Sequence, residues 1–156
     1  MDDSGQAQEE DRRKAFRIDS TAMLEVRPIE ESEVPTILDK LNDRVPDRFA
    51  MASGFVTTSV QMNRMLRAVR QDYPDLARYL QMLDHKLNYL ATMIMAEDMG
   101  PDAEVATEVN LSASGVAFDS RHPFEPGDLL ELKLVLVPDY IGLLAVGRVT
   151  HCERRV

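Results

Sequence analysis

The sequence predicts an α+β protein: a small antiparallel β-sheet, a barrel or sandwich in the making, interrupted by a long helical insertion. Three observations predict it. Residues 16–29 and 105–156 carry short runs of β-branched and apolar residues punctuated by Pro and Gly, the texture of strands and turns. The stretch between them has no glycine between Gly54 and Gly100 and holds seven of the nine methionines. Within it Leu76, Leu80, Leu83, Leu87, Leu90 and Ile94 are spaced 4-3-4-3-4, which keeps them on one helix face for about five turns.

Composition narrows the function. The chain has 156 residues, enough for one domain or a domain with one sizeable insertion. It carries 27 acidic against 18 basic residues, a net charge of −9, which argues against a nucleic-acid polymer as partner, since such proteins spread Lys and Arg over a face. With 44% hydrophobic and 29% charged residues a packed core is expected. No apolar run reaches the roughly 20 residues of a membrane span. The acidic, polar start, Met1 to Glu10, is not a secretory signal. A single cysteine, Cys152, makes no internal disulfide, and a reducing cytoplasm suits it.

In chain order, residues 1–12 read as a mobile acidic arm. Residues 16–29 predict one strand ending at Pro28. Ile37, Leu38, Leu41 and Val45, led by Pro35, suggest a short helix. Met62, Leu66, Val69 and Tyr73 repeat the 4-3-4 spacing, and Pro74 suits the first turn of a new helix. The segment therefore reads as a helical hairpin or a kinked long helix. A helix from Asp75 to Asp98 would be about 36 Å long, more than a small sheet covers. Its leucine stripe must meet another helix, either within the chain or on a second copy. A narrow, heptad-like seam of this length favours a coiled-coil or four-helix oligomer. Residues 33–100 are thus expected to form an inserted helical oligomerisation segment.

Three or four strands follow. Val105 to Leu111 is the first. A turn is expected over Asn110-Leu111-Ser112-Ala113-Ser114-Gly115, and Val116 to Asp119 leaves it. Phe124-Glu125-Pro126-Gly127-Asp128 is a second turn signal. Leu130, Leu132, Leu134 and Leu136 alternate with Glu131, Lys133, Val135 and Val137 as a half-buried strand. Leu143 to Arg154 reads as the last. The chain stops in strand texture, so a barrel truncated at its C-terminus is expected, with an exposed edge.

Two short motifs carry chemistry. Arg13-Lys14-Ala15-Phe16-Arg17 places arginines four apart before the first strand, and Asn110-x-Ser112-x-x-Gly115 sits between two later strands. Alone, each reads as solvated surface or an ordinary polar turn. Together and in this order they resemble the PilZ domain, the small β-barrel receptor for cyclic di-GMP. The resemblance covers residues 9–29 and 103–156, making 13–30 and 103–156 the PilZ-like barrel. About ninety residues separate Arg17 from Asn110, where ordinary PilZ domains need a few tens. The intervening helices look like the insertion of a helix-bearing, oligomeric subgroup, some of whose members have lost the binding motifs.

The resemblance implies a cytoplasmic receptor of bacterial signal transduction that binds cyclic di-GMP through Arg13, Arg17, Asn110, Ser112 and Gly115. It needs no cofactor, forms a homo-oligomer (dimer or tetramer) through its helices, and relays binding to a protein partner. The chemistry fits. A guanidinium donates a fork of bonds to a phosphate or to guanine O6 and N7. Glycine lets a ligand approach the backbone without a Cβ in the way. Asp119 and Arg148 are further candidates for the neighbourhood, and Glu9, Glu10 and Asp11 for ion pairs with the arginines. The other reading is an oligomeric adaptor built on a vestigial PilZ barrel, binding no nucleotide. His85, His122, His151 and Cys152 make no metal spacing. No phosphate loop, nucleophile elbow or paired carboxylates are visible, so an enzyme is not expected.

Overall fold

The computed structural model describes residues 16–42 and 47–154. Strand β1 (Ile18–Ile29) runs through the middle of the sheet. It pairs antiparallel with β2 (Glu104–Ser112) on one side and β4 (Leu129–Val137) on the other. β3 (Gly115–Phe118) extends the sheet beyond β2, and β5 (Ile141–Arg148) extends it beyond β4, giving the order β3-β2-β1-β4-β5. β3 and β5 do not pair with each other among the described residues, so the expected barrel is present only as a half-barrel, a five-stranded antiparallel sheet with both edges open. Closure needs its two edge strands to meet, and the strand expected from Leu143 to Arg154 leaves the ladder after Arg148.

Pro28 lies inside β1 rather than ending it. It is tolerated because β2 stops pairing at Leu24, leaving β4 as the only neighbour there. Opposite Met23, β2 carries one residue more than β1: Ala22 faces Thr107 while Leu24 faces Glu104. Ala106 at this bulge has φ 60, and the extra residue bends the strand. Gly127 serves the turn before β4 with φ +101, a conformation that side chains with a Cβ rarely adopt.

The inserted segment is a helical hairpin. A short 3-10 turn and α1 (Val34–Leu41) lead to α2 (Arg48–Asp72) and α3 (Pro74–Asp98). Pro35 and Pro74 both occupy first-turn positions, where a missing N–H costs nothing. Val45 of the expected short helix lies outside the described residues. Arg70 reaches Gln81, Ser59 reaches Asp84 and Asn88, and Arg48 pairs with Glu97, so the two helices run antiparallel from a tight bend at Tyr73. No helix of the described residues is long and apolar enough to cross a membrane.

Alternation along the strands gives each sheet face its own core. Ala22, Leu24, Leu130, Leu132, Leu134 and Val109 pack on one face with Val26, Leu111, Phe118 and Phe124. On the other face Val135 and Met23 meet Phe49, Ala52 and Val56 of α2 and Ala91, Met95 and Met99 around the end of α3. Strand β4 is therefore covered on both sides, not half-buried as its alternation suggests: even its buried Glu131 has a partner, Arg27, at 2.8 Å. The hairpin sits very close to β5. A Cβ on Gly142 would stand 2.6 Å from Met95 Sδ and 2.9 Å from Ser53 Cβ, and Ser53 Oγ donates to the Gly142 carbonyl.

Charges join the hairpin to the sheet. Lys133 Nζ donates to Asp98 at 2.8 Å and lies 3.9 Å from Glu25, over the ring of Phe49. Glu25 accepts the Gly100 N–H at 3.0 Å, just past the end of α3. Burial pushes the Lys133 ammonium down, but the hydrogen bond to Asp98 and the carboxylates of Asp98, Glu25 and Glu131 outweigh it, so its pKa stands above the ordinary lysine value. Arg27 bonds Glu33 and Glu131, each at 2.8 Å, and the bond to Arg27 with that from the Glu30 N–H holds the Glu33 carboxyl below its ordinary range.

The leucine stripe is where expectation and structure part. Leu76, Leu80, Leu83, Leu87 and Leu90 are 39–55% exposed. α3 instead meets α2 and the sheet through Ala77, Asp84, Asn88, Ala91 and Met95. The stripe as the core of an intramolecular hairpin is thereby corrected, because small and polar residues let the helices approach along the neighbouring face. Only Ile94, at the sheet end, is partly buried against the core.

The joint at Lys133 yields a stability prediction. Lys133→Met should lower unfolding free energy by about 2 kcal/mol in chemical denaturation, because Asp98 and Glu25 lose their cation in a partly buried place. The sign with pH follows from the raised pKa. The stabilisation is complete below the ordinary lysine value near 10.5 and is lost as pH climbs through the higher folded value, so the wild-type midpoint should fall more steeply above that pH than the variant's.

Candidate nucleotide-binding site

Antiparallel pairing brings the two motifs together. Ile18 stands opposite Leu111 and Asp19 opposite Asn110, so the residue preceding β1, Arg17, arrives beside the end of β2. Arg17 Nη1 donates to Asn110 Oδ1 at 2.8 Å across 93 residues of sequence. Asn110 Nδ2 in turn donates to Asp19 Oδ1 at 2.6 Å. The three side chains form one exposed row: guanidinium, amide, carboxylate. Asp19 shares the strand face of Met23 and Glu25, the side the hairpin covers further along.

This row explains the amide at position 110. Arginine only donates and an ionised carboxylate only accepts. A single group between them must accept on one side and donate on the other, which an Asn amide does and an Asp carboxylate does not. Sequence reasoning missed Asp19. Its signal was available only as a strand residue that the β1–β2 register places opposite Asn110.

Ser112 and Gly115 are paired residues at the ends of β2 and β3. The turn is thus shorter than the six-residue one expected, with Ala113 and Ser114 alone between the strands. Strand pairing extends to the hairpin end because Asn110 and Leu111 face Ala117 and Val116. The Ser112 hydroxyl lies 3.3 Å from the Gly115 carbonyl and 3.3 Å from Ser114 Oγ. A Cβ on Gly115 would meet nothing within 4 Å, and its φ is not in the left-handed range. The fold makes no demand for glycine there, so the open space is available for a ligand to approach.

Arg13 and the acidic Glu9, Glu10 and Asp11 lie outside the described residues. Arg148 is not part of this neighbourhood: it ends β5 opposite Leu129, bonding Glu31 at 2.9 Å and the Gly127 carbonyl at 2.9 Å, at the far end of the sheet from Asp19. Asp119 directly follows β3. Among the described residues no group of three or more His, Cys, Asp or Glu is arranged to hold a metal ion.

Residues 89–156 match the family model of the PilZ domain. The match begins in the last turns of α3 and takes in β2 to β5; β1 and Arg17 lie ahead of it. No curated protein and no solved structure matches the chain.

The role of the Asn110 amide is testable without ligand. Asn110→Asp puts two carboxylates directly opposite one another across β1 and β2, where like charges destabilise. Stability at neutral pH should fall by about 0.5–1 kcal/mol in a thermal melt, and the difference from wild type should shrink as acid protonates the pair.

Proposed function

We propose that this protein is a cyclic di-GMP-binding receptor that relays the second messenger to a protein partner or to its own oligomer, because residues 89–156 match the family model of the PilZ domain, a family of cyclic di-GMP receptors and generally of binding modules rather than enzymes. The observation that carries the reading is the Arg17–Asn110 hydrogen bond, which joins the two halves of the family's motif across the insertion. Arg13 and Arg17 supply permanent cations for the two phosphates and for guanine acceptor atoms. Asn110 and Ser112 add directional contacts, and the backbone at Gly115 can be approached closely.

The helices carry the second part of the proposal. A row of five half-exposed leucines on α3, with Tyr79, Met82, Tyr89 and Met93 exposed on the same helix, is an apolar patch of the kind that marks an interaction surface. We assign Leu76, Leu80, Leu83, Leu87, Leu90 and Ile94 to a dimer or tetramer interface with second copies of the chain. The same exposed stripe favours the alternative, an adaptor that oligomerises and binds no nucleotide.

Calorimetric titration with cyclic di-GMP separates the two. The receptor binds, and Arg13→Ala and Arg17→Ala each weaken binding by about 1.5–3 kcal/mol, the range of a hydrogen bond to a charged group. Ser112→Ala costs less, and affinity falls as salt rises. Absence of heat and of chemical-shift change at millimolar nucleotide would leave the adaptor. Assembly is checked by light scattering: wild type should exceed the 17.6 kDa of one chain, and Leu87→Asp should shift it towards monomer, since a charge buried unpaired at an interface costs several kcal/mol. A clean wild-type monomer at micromolar concentration would remove the oligomer.

A further inference from the structure

The row formed by Arg17, Asn110 and Asp19 contains a group that no phosphate tolerates. Asp19 is exposed, and among the described residues its carboxylate receives one hydrogen bond, from Asn110 Nδ2. An ionised carboxylate accepts about four. Beside a dianionic ligand it repels whichever part is charged, so the part of the ligand that lies against Asp19 must be neutral and must present N–H groups.

The bases differ here. Guanine offers two parallel donors, N1–H and the N2 amino group, next to the acceptor O6. Adenine offers an acceptor at N1 beside its single amino group. A carboxylate matches guanine's paired donors and opposes adenine N1. Arg17, held on the other side of Asn110, supplies the donors that O6 requires. The order along the row, donor then acceptor, is complementary to guanine's order of acceptor then donors. Asn110 holds the two ends in place, because its amide is oriented by Asp19 on one side and Arg17 on the other.

We propose that Asp19 is the specificity-determining residue of this site, accepting the N1–H and N2–H of one guanine and so rejecting adenine-containing cyclic dinucleotides. The inference rests on the receptor reading and adds to it a base-reading group outside both motifs. A site built around buried or ligand-facing polar groups discriminates strongly, because the wrong ligand leaves them unpaired.

Asp19→Asn is the informative change. Its Oδ1 can still accept from Asn110 Nδ2, which keeps the row intact, while an NH2 group replaces the second oxygen and faces the base. The full chain and this variant are each titrated with cyclic di-GMP and with cyclic di-AMP, and circular dichroism checks that both melt alike. Wild type should prefer cyclic di-GMP. In Asp19→Asn, cyclic di-GMP should bind roughly tenfold to a hundredfold more weakly, the loss of a charge-assisted hydrogen bond, while cyclic di-AMP binds no worse, so the preference collapses. An unchanged preference, or tighter binding of cyclic di-GMP by the variant, would overturn the role of Asp19 and leave the receptor intact. Wild type that binds neither dinucleotide would overturn the receptor reading and this inference with it.

Discussion

The antiparallel pairing of β1 between β2 and β4 is the constraint on which the rest of the structure depends. β1 is separated from both partners by the whole helical segment, yet it pairs with β4 along nine consecutive positions, Thr21 to Ile29 against Val137 to Leu129. That register buries Leu24 against Leu134 and Ala22 beside Leu136 on one face. It aligns Glu25 with Lys133 on the other. At its far end the β1–β2 register sets Asp19 against Asn110. A slip of one residue would turn every one of these side chains to the opposite face, removing the core, the charged joint and the site together.

The helical hairpin uses the sheet as a platform at one end only. Phe49, Val56, Ala91 and Met95 anchor the end next to the strands. Further out the helices hold each other through Ser59, Asp84 and Asn88 rather than through leucines. A polar contact of this kind fixes the register between two helices while contributing little apolar burial. The leucines are left half-exposed beside that contact, and only Ile94 at the end of their row reaches a sheet core. The two jobs of the helix, seating on the sheet and presenting an apolar face, are divided between adjacent faces of the same 25 residues.

The joint and the site share strand β1. Asp19 and Glu25 stand on the same side of it, one in the exposed row with Asn110 and Arg17, the other under Gly100 and beside Lys133 at the base of the hairpin. A ligand that pulls on the start of β1 therefore acts on an element that is also tied to the end of α3. The connection is made of strand backbone and charge pairs, which are stiff and directional, and it is the physical route that the proposed relay would use.

Much of this architecture was legible in the residues. The 3.5-residue spacing of apolar side chains marked the long helices, Pro74 marked their junction, and the Leu130 to Leu136 alternation marked β4, because those signals depend on local periods of backbone geometry. Two motifs with an arginine pair and an Asn-x-Ser-x-x-Gly pattern pointed to the family. Three things came only with the tertiary structure. The leucine stripe lies beside the face that meets α2, half-exposed, since which face of a helix is covered depends on the closeness that Ala77 and Ala91 allow, not on hydrophobicity alone. Among the described residues the sheet stays open, since closure depends on where edge strands end in space. Asp19 joins the row with Asn110 and Arg17, since its hydrogen-bond partner stands 91 positions away. Periodicity is written along the chain; pairing across the chain is chosen by the register in which all the buried side chains fit at once.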